Sequence, residues 1–347
     1  MQAMFAAVSS RLTSVLMVLL ACVTLALSGC KETASTAAVA PKAGASGGPK
    51  VVATTGMIAD VARTIGAGRA QVTALMGEGV DPHLYKASPG DVRLLTDADI
   101  ILYNGLHLEG RMADVITKMA SDTTVVRVTE SMDESQLRSP PEFEGHYDPH
   151  VWFDVSLWSK AAERTRDALI AKDAAGRDMY ARNATAYLEK LAALHEYAKT
   201  TIATIPEGSR VMVTAHDAFG YFGRAYGIEV LAIQGISTDS EASLQDINGL
   251  VDTLVSRKVP AVFIESSVPR KTVDALVEGC AARGHQVKVG GELFSDAMGP
   301  AGTPEGTYIG MVVHNVDTVT AALGGSVPAE KPGLLLSGMV PPPAGKR

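Results

Sequence analysis

Short β-branched runs alternate with helix-forming segments along most of the chain, in two series. The strands predicted in the first series are 51–55, 71–75, 100–103 and 124–128. Those predicted in the second series are 211–214, 229–233, 261–264 and 286–289. Strands separated by helices favour parallel sheets that are covered on both faces. The pattern therefore predicts an α/β protein with two lobes.

A helix-forming stretch over 173–204 separates the two series. Apolar residues recur in it at alternating steps of three and four, which is the spacing of one helix face. They are Ala184, Tyr187, Leu191, Leu194 and Ala198. One continuous helix of about 28 residues would be about 42 Å long at its usual rise per residue. Such a helix is suited to joining the two lobes.

The N-terminus carries an apolar run over 12–27 that follows Arg11 and ends in Leu-Ser-Gly-Cys. A charged start, an apolar core and small residues predict a secretory signal over 1–29. The Leu-Ser-Gly-Cys sequence at 27–30 resembles a bacterial lipobox. This resemblance implies a lipid on Cys30 after cleavage. The alternative is an uncleaved membrane anchor, because 12–29 is uncharged for 18 residues. Either interpretation places the remaining chain outside the cytoplasm, attached to a membrane.

Segments with few large apolar residues flank the globular part of the chain. Residues 30–49, rich in Ala, Gly, Ser and Pro, predict a flexible lipidated tether. The Pro- and Gly-rich residues 325–347 predict a loose tail. The predicted parts between them are an N-terminal metal-binding lobe over 50–172, a linking helix over 173–205 and a C-terminal metal-binding lobe over 206–324. Cys280 is expected to be a small core residue.

Charge and composition exclude some classes of partner. The 347 residues include 31 basic and 38 acidic side chains, for a net charge of −7, and no block of Lys or Arg. This balance argues against nucleic acid or an anionic membrane surface as the main partner. Aromatic residues make up only 5% of the chain, which argues against a surface that stacks on bases or sugars.

The triplet Asp-Pro-His occurs twice, at 81–83 and 148–150, where chance predicts about 0.02 copies. Both copies follow turn-rich segments and are expected on loops. The proline fixes the backbone before the imidazole, and the aspartate is placed to accept a hydrogen bond from the ring nitrogen that does not hold a metal. His83 and His150 are therefore predicted metal ligands. The alternative is a pair of surface histidines in tight turns.

The second series of strands offers two more candidate ligands. His216 follows the predicted strand 211–214, and Asp296 lies in a loop after strand 286–289. The carboxyl ends of parallel strands are where α/β sheets place ligands. Either residue alone would more often be a helix cap or a satisfied core group. With the first pair, however, three histidines and one aspartate make a tetrahedral set for zinc.

Several longer segments resemble the metal-binding lipoproteins of ABC transporters, the TroA/ZnuA-type or cluster A-I solute-binding proteins. The similarity extends over about 51–322, nearly the whole globular part. The segments that carry it are 79–109 (beginning GVDPHLYKASPGDV), DPHVWFDVSLW at 148–158, VTAHDAFGYFGRAYG at 213–227, QGISTDSEAS at 234–243, FIESS at 263–267 and GGELFSDAMG at 290–299.

The resemblance implies a fold and a ligand set. It implies two (β/α)4-like lobes with parallel sheets, joined by a single long backbone helix, with a metal buried between the lobes. The implied ligands are His83, His150, His216 and Asp296, the four already reached from the residues. The groups expected to hydrogen-bond to these ligands are Asp81, Asp148 and Glu265.

The resemblance implies a metal but leaves two ions, zinc and manganese, to be weighed. Relatives selective for manganese or iron often have Glu at the third ligand position, so His216 favours zinc. Many zinc importers have a His-rich acidic loop, and the corresponding stretch here, 131–147, has only one histidine. Zinc is therefore expected, with manganese as the alternative. Histidine ligands predict that affinity falls below a pH of about 6.5.

The function implied is capture of a divalent metal outside the cytoplasm and its delivery to an ABC permease in the cytoplasmic membrane. A lipid-anchored monomer without enzyme activity is expected. A closed four-ligand site leaves no position for the activated water of a zinc hydrolase, and the chain has no His-Glu-x-x-His motif. The alternatives are a surface adhesin of the same fold and an extracytoplasmic metallohydrolase.

Overall fold

A computed structural model describes residues 47–143 and 145–339. The predicted signal peptide, the lipidated Cys30 and the tether up to residue 46 lie outside the described residues. Within them, no helix has both the length and the apolar composition that crossing a bilayer requires.

The first half of the described chain forms a parallel sheet with helices packed around it. Its strands are β1 (Lys50–Ala53), β2 (Gln71–Ala74), β3 (Ile100–Tyr103) and β4 (Thr124–Arg127). All pair in parallel, in the order β2-β1-β3-β4. The helices are α1 (Gly56–Ile65), α2 (Pro89–Thr96), α3 (Ala113–Met119) and α4 (Val155–Lys172). Ile100, Ile101 and Leu102 are fully buried, as expected for a parallel sheet with both faces covered.

The second half is also built from parallel strands and helices. Its strands are β5 (Val211–His216), β6 (Glu229–Gln234), β7 (Ala261–Glu265) and β8 (Lys288–Leu293). Strand β5 pairs with β6 and β7 pairs with β8, both in parallel, and β5 lies against β7. The helices are α6 (Gly220–Tyr226), α7 (Leu244–Arg257), α8 (Lys271–Ala282) and α9 (Tyr308–Ala322). The predicted α/β class with parallel sheets is confirmed.

The predicted long helix is present as α5 (Arg177–Ile202), preceded by a 3-10 turn over Ala174–Gly176. The five apolar positions that predicted it are all buried. Helix α5 packs against α1 and α4 of the first half and against α9 of the second. One helix therefore supports both lobes, because its buried face is shared between them.

Strand β8 begins and ends later than the sequence pattern predicts. The predicted strand is 286–289, and two glycines follow it. In the structure the strand continues through them to Leu293, with a register shift opposite Val262 and Phe263. A Cβ on Gly290 would lie 2.8 Å from the ring of Phe263 and 2.7 Å from a methyl carbon of α9. The glycine is thus required by a close approach, which a local pattern does not show.

Residues 325–339 differ from the loose tail expected from their composition. Helix α10 (Gly333–Gly338) packs against α5 and α9, and Leu335 is fully buried. The backbone N–H of Ser326 donates to the hydroxyl of Thr204 at 2.8 Å. The prediction from Pro and Gly content did not take account of the Leu-Leu-Leu run at 334–336, whose middle residue, Leu335, anchors the helix. Residues 340–347 lie outside the described part.

Helix α1 carries a buried carboxylate whose removal is expected to stabilise the protein at alkaline pH. Asp60 Oδ2 accepts the backbone N–H of Tyr308 at 3.0 Å, at the start of α9. Burial raises the pKa of Asp60 to about 6, although the Tyr308 N–H and Arg63 oppose the shift. Because this pKa is raised on folding, the stability linked to Asp60 is fully present below pH 3.8 and is lost as the pH rises through about 6.

Asp60→Asn keeps an acceptor oxygen for Tyr308 and removes the charge. We expect the free energy of unfolding at pH 8 to rise by about 1–2 kcal/mol, measured by urea titration of the metal-free protein. Asp114→Asn, at an exposed position on α3, is the matched control. Equal stability of the Asp60 variant and the wild type across pH 5–8 would contradict this account.

Candidate metal centre

Four buried side chains converge between the two halves of the protein. His83, His150, His216 and Asp296 each offer one ligand atom, and these atoms all lie within 4.8 Å of one another. None of the four residues is more than 2% exposed. The structure thus brings together the complete set of ligands proposed from the sequence, and their role in holding a metal remains a prediction.

The strand ends explain why these residues meet. His83 lies in the loop between β2 and α2, and His150 immediately precedes a 3-10 turn over Val151–Phe153. His216 is the last residue of β5, and Asp296 follows β8. Each half therefore contributes two side chains from loops or strand ends at the carboxyl edges of its sheets.

The separations between the ligand atoms are those of a small coordination sphere. His83 Nε2 lies 3.4 Å from Asp296 Oδ2, and His216 Nε2 lies 3.3 Å from the same oxygen. His150 Nε2 is 3.4 Å from Asp296 Oδ1 and 3.3 Å from His83 Nε2. Tetrahedral zinc with bonds of about 2.0–2.1 Å separates its ligand atoms by about 3.3 Å. The spacing therefore fits one ion at the centre.

Two carboxylates fix the orientation of two of the imidazoles. His150 Nδ1 donates to Asp148 Oδ1 at 2.8 Å, and His216 Nδ1 donates to Glu265 Oε2 at 2.6 Å. The same carboxylates accept the backbone N–H groups of these histidines, each at 2.9 Å. With one proton held on Nδ1, Nε2 is the atom that faces the centre, and its deprotonation gives the tautomer that binds a metal.

Asp81 was expected to accept a hydrogen bond from the ring of His83, but in the structure it does not. Its Oδ1 accepts the backbone N–H of His83 at 2.8 Å, and its Oδ2 accepts the hydroxyl proton of Thr238 at 2.6 Å. Both oxygens are thus engaged away from the His83 ring. The two Asp-Pro-His triplets are alike in sequence, but the first links the His83 loop to the second half of the protein instead of orienting the imidazole.

The centre lacks donors for its acceptor atoms. Among the described residues, Asp296 Oδ1, Asp296 Oδ2 and His216 Nε2 are buried without a hydrogen-bond partner. Although burial opposes it, Asp296 and Asp148 raise the pKa of His150 to about 9. Glu265 and Asp296 likewise raise the pKa of His216 well above its usual value against the effect of burial. The centre therefore attracts positive charge, as protons or as a metal ion.

Trp152 supports the centre and was not singled out from the sequence. Its indole N–H donates to the carbonyl of Ser295 at 3.1 Å, next to Asp296, and its ring lies 5.2 Å from that of His150. The hydroxyl of Tyr308 donates to the Trp152 carbonyl at 2.7 Å. A tryptophan in an apolar segment is ordinarily predicted to be a core residue. The only signal in the sequence of a role at the site was its position two residues after His150.

Comparison with known proteins agrees with this architecture. Residues 51–322 match the family model ZnuA, described as zinc-uptake complex component A, periplasmic. The chain is 51% identical over 281 residues to the zinc-binding protein TroA of Treponema pallidum, covering 81% of this chain and 91% of TroA. It is 49% identical over 275 residues to the manganese-binding lipoprotein MntA of Bacillus subtilis, covering 79% of this chain and 89% of MntA.

A solved structure gives the same result for the fold. The periplasmic zinc-binding protein TroA of Treponema pallidum superposes with a TM-score of 0.78, covering 80% of this chain and 99% of the TroA chain. The extent of the family match, nearly all of the described region, equals the extent of the resemblance found in the sequence. The chain therefore belongs to the ZnuA family of periplasmic zinc-uptake components.

Proposed function

We propose that this protein captures a divalent metal ion outside the cytoplasm, between its two lobes, and delivers it to an ABC permease in the cytoplasmic membrane. The observation that carries the proposal is the buried group of three histidines and Asp296, with acceptor atoms that lack donors. The relatives named as zinc-binding and manganese-binding proteins support the same function. Cys30 would carry the lipid that anchors the protein to the membrane.

The donor atoms suit zinc and also admit manganese. Three imidazole nitrogens and one carboxylate form a set that zinc binds tetrahedrally. Both Asp296 oxygens face the centre, since Oδ1 lies near His150 and Oδ2 near His83 and His216. A fifth donor atom is therefore within reach, so the site also admits ions that take more than four ligands. We infer zinc as the preferred ion and manganese as the alternative.

A role in transport accounts for the closed site better than catalysis does. A hydrolytic zinc keeps one coordination position for water, whereas here four protein side chains converge and none is more than 2% exposed. The ion would be fully enclosed by side chains from both lobes. Enclosure suits an ion that is carried and released, and it excludes a substrate from the metal.

The identity and stoichiometry of the ion test the proposal. We expect about one metal ion per chain, mainly zinc, in protein isolated from its own envelope and analysed for its elements. A competition titration with a chelator should then rank zinc above manganese, because nitrogen ligands favour zinc in the divalent series. Protein that is isolated without metal and fails to take up either ion in the titration would refute the proposed function.

A further inference from the structure

Arg138 lies against a glycine of the opposite half of the protein. A Cβ added to Gly220, the first residue of α6, would lie 1.4 Å from Arg138 Nη1 and 2.0 Å from Cζ. The guanidinium therefore occupies the space that any other residue at position 220 would fill. It is 24% exposed, so this contact is made at the edge of the interior.

The same guanidinium contacts the carboxylate that orients a candidate ligand. Arg138 Nη1 donates to Asp148 Oδ2, and Asp148 Oδ1 accepts from Nδ1 of His150. Asp148 is fully buried, so its charge depends on these few partners. The result is a chain of contacts from Gly220 through Arg138 and Asp148 to the imidazole of His150.

Backbone hydrogen bonds hold this chain of contacts in place. The backbone N–H of Arg138 donates to the hydroxyl oxygen of Tyr221 at 3.0 Å. The Tyr221 hydroxyl donates to the carbonyl of Asp148 at 2.9 Å, and the Asp148 N–H donates to the Arg138 carbonyl at 2.8 Å. Tyr221 is fully buried and belongs to α6, which begins four residues after His216 at the end of β5.

These contacts connect the two halves of the centre without touching the ion. His150 comes from the first half, whereas α6 and His216 come from the second. We propose that Arg138 is a positioning residue: it fixes Asp148, and through it the ring of His150, against Gly220 and Tyr221 of α6. The proposal rests on the proposed function, because the position of the His150 ring sets the affinity and the release rate of the bound metal.

The test uses five variants of the full chain and one control. Arg138→Gln removes the charge, and Arg138→Lys keeps it without the planar fork that contacts both Asp148 and Gly220. Gly220→Ala leaves the charge intact and displaces the guanidinium by its methyl group. Arg138→Ala, made alone and combined with Gly220→Ala, leaves space for that methyl group. Arg257→Gln, which breaks an exposed pair with Glu229, is the matched control.

We expect Arg138→Gln to weaken zinc binding by about 10-fold, the lower end for partners that act through a ligand's hydrogen bond. Arg138→Lys should restore part of the loss. Gly220→Ala should weaken binding in the wild-type background and change it less than twofold in the Arg138→Ala background, because the two residues act through one contact. The absorption spectrum of bound cobalt(II), which reports the geometry of the ligands, should change in Arg138→Gln.

A readout without metal separates this proposal from the proposed function. In metal-free protein labelled with nitrogen-15 at histidine, the resonance of the His150 Nδ1 proton should shift or broaden in Arg138→Gln and Gly220→Ala. An unchanged resonance, an unchanged cobalt spectrum, or equal effects of Gly220→Ala in both backgrounds would overturn the positioning role. Failure of the wild type to bind metal would overturn the proposed function and leave the NMR result to decide on Arg138.

Discussion

Replacing His216 with alanine is expected to lower the affinity for zinc by about 100- to 1,000-fold. A four-ligand zinc site of this kind is worth about 10–16 kcal/mol, so one ligand accounts for about 2.5–4 kcal/mol. The change also leaves Glu265 buried without the imidazole that donates to it, which destabilises the fold in both the loaded and the empty form. A competition titration with a chelator measures the affinity directly.

The control for this variant is His285→Ala. His285 lies in the same half of the protein, where its Nε2 contacts the carbonyl of Val259, outside the group of four. Its removal should leave the affinity within twofold of the wild type. Because Glu265 could destabilise the alanine variant, His216→Gln serves as a second test with a polar side chain. Zinc affinity that stays within tenfold of the wild type in both His216 variants would rule out a ligand role.

The affinity for zinc is expected to rise steeply between pH 7 and pH 9. The pKa of His150 is raised to about 9, so in the metal-free protein this ring holds a proton at neutral pH that the ion must displace. Displacing one proton changes the apparent affinity about 10-fold per pH unit well below the pKa and less close to it, so the rise over these two units is about 50-fold. Proton release from His216, whose pKa is also raised, would make the rise steeper.

The sequence alone placed this loss of affinity below a pH of about 6.5, the range of an ordinary histidine. The structure moves it upward, because Asp296 and Asp148 favour the protonated ring of His150. For the metal-free protein the sign is opposite: stability linked to His150 is fully present below about pH 6.5 and is lost as the pH rises through about 9.

Two measurements check the pH dependence. Chelator competition at constant ionic strength gives the affinity at each pH, and calorimetry in buffers with different ionisation enthalpies counts the protons released. The His285→Ala variant should follow the wild-type curve. An affinity that is flat from pH 7 to pH 9, with no proton release, would show that the imidazoles are neutral before the ion arrives.

Local patterns in the sequence were sufficient to predict the fold class and to select the four residues that the structure brings together, whose role as ligands stays a prediction. All the strands except β8 ended within two residues of their predicted bounds, because the β-branched runs that form them are local features. The repeated Asp-Pro-His triplet marked His83 and His150, and the strand ends marked His216 and Asp296. These residues lie far apart in the chain, but parallel topology brings such strand ends together.

Features that depend on contacts between distant segments could not be predicted from local sequence patterns. Asp81 and Asp148 have the same local sequence, and only the position of Thr238 gives Asp81 a partner in the other half. The extension of β8 through Gly290 depends on the close approach of Phe263. Leu335 is buried because the helix that carries it, α10, packs against α5 and α9. Each is a property of tertiary packing, which short-range periodicity does not encode.

The paired carboxylates around the centre have a consequence for how the loaded protein is recognised. With its pKa raised to about 9, His150 carries a second ring proton at neutral pH when no metal is bound. A divalent ion that displaces this proton raises the total charge of the protein by only one unit. The filled and empty forms then differ little in their long-range electrostatic field, so a permease that received the metal would distinguish them mainly by shape and surface contacts at close range.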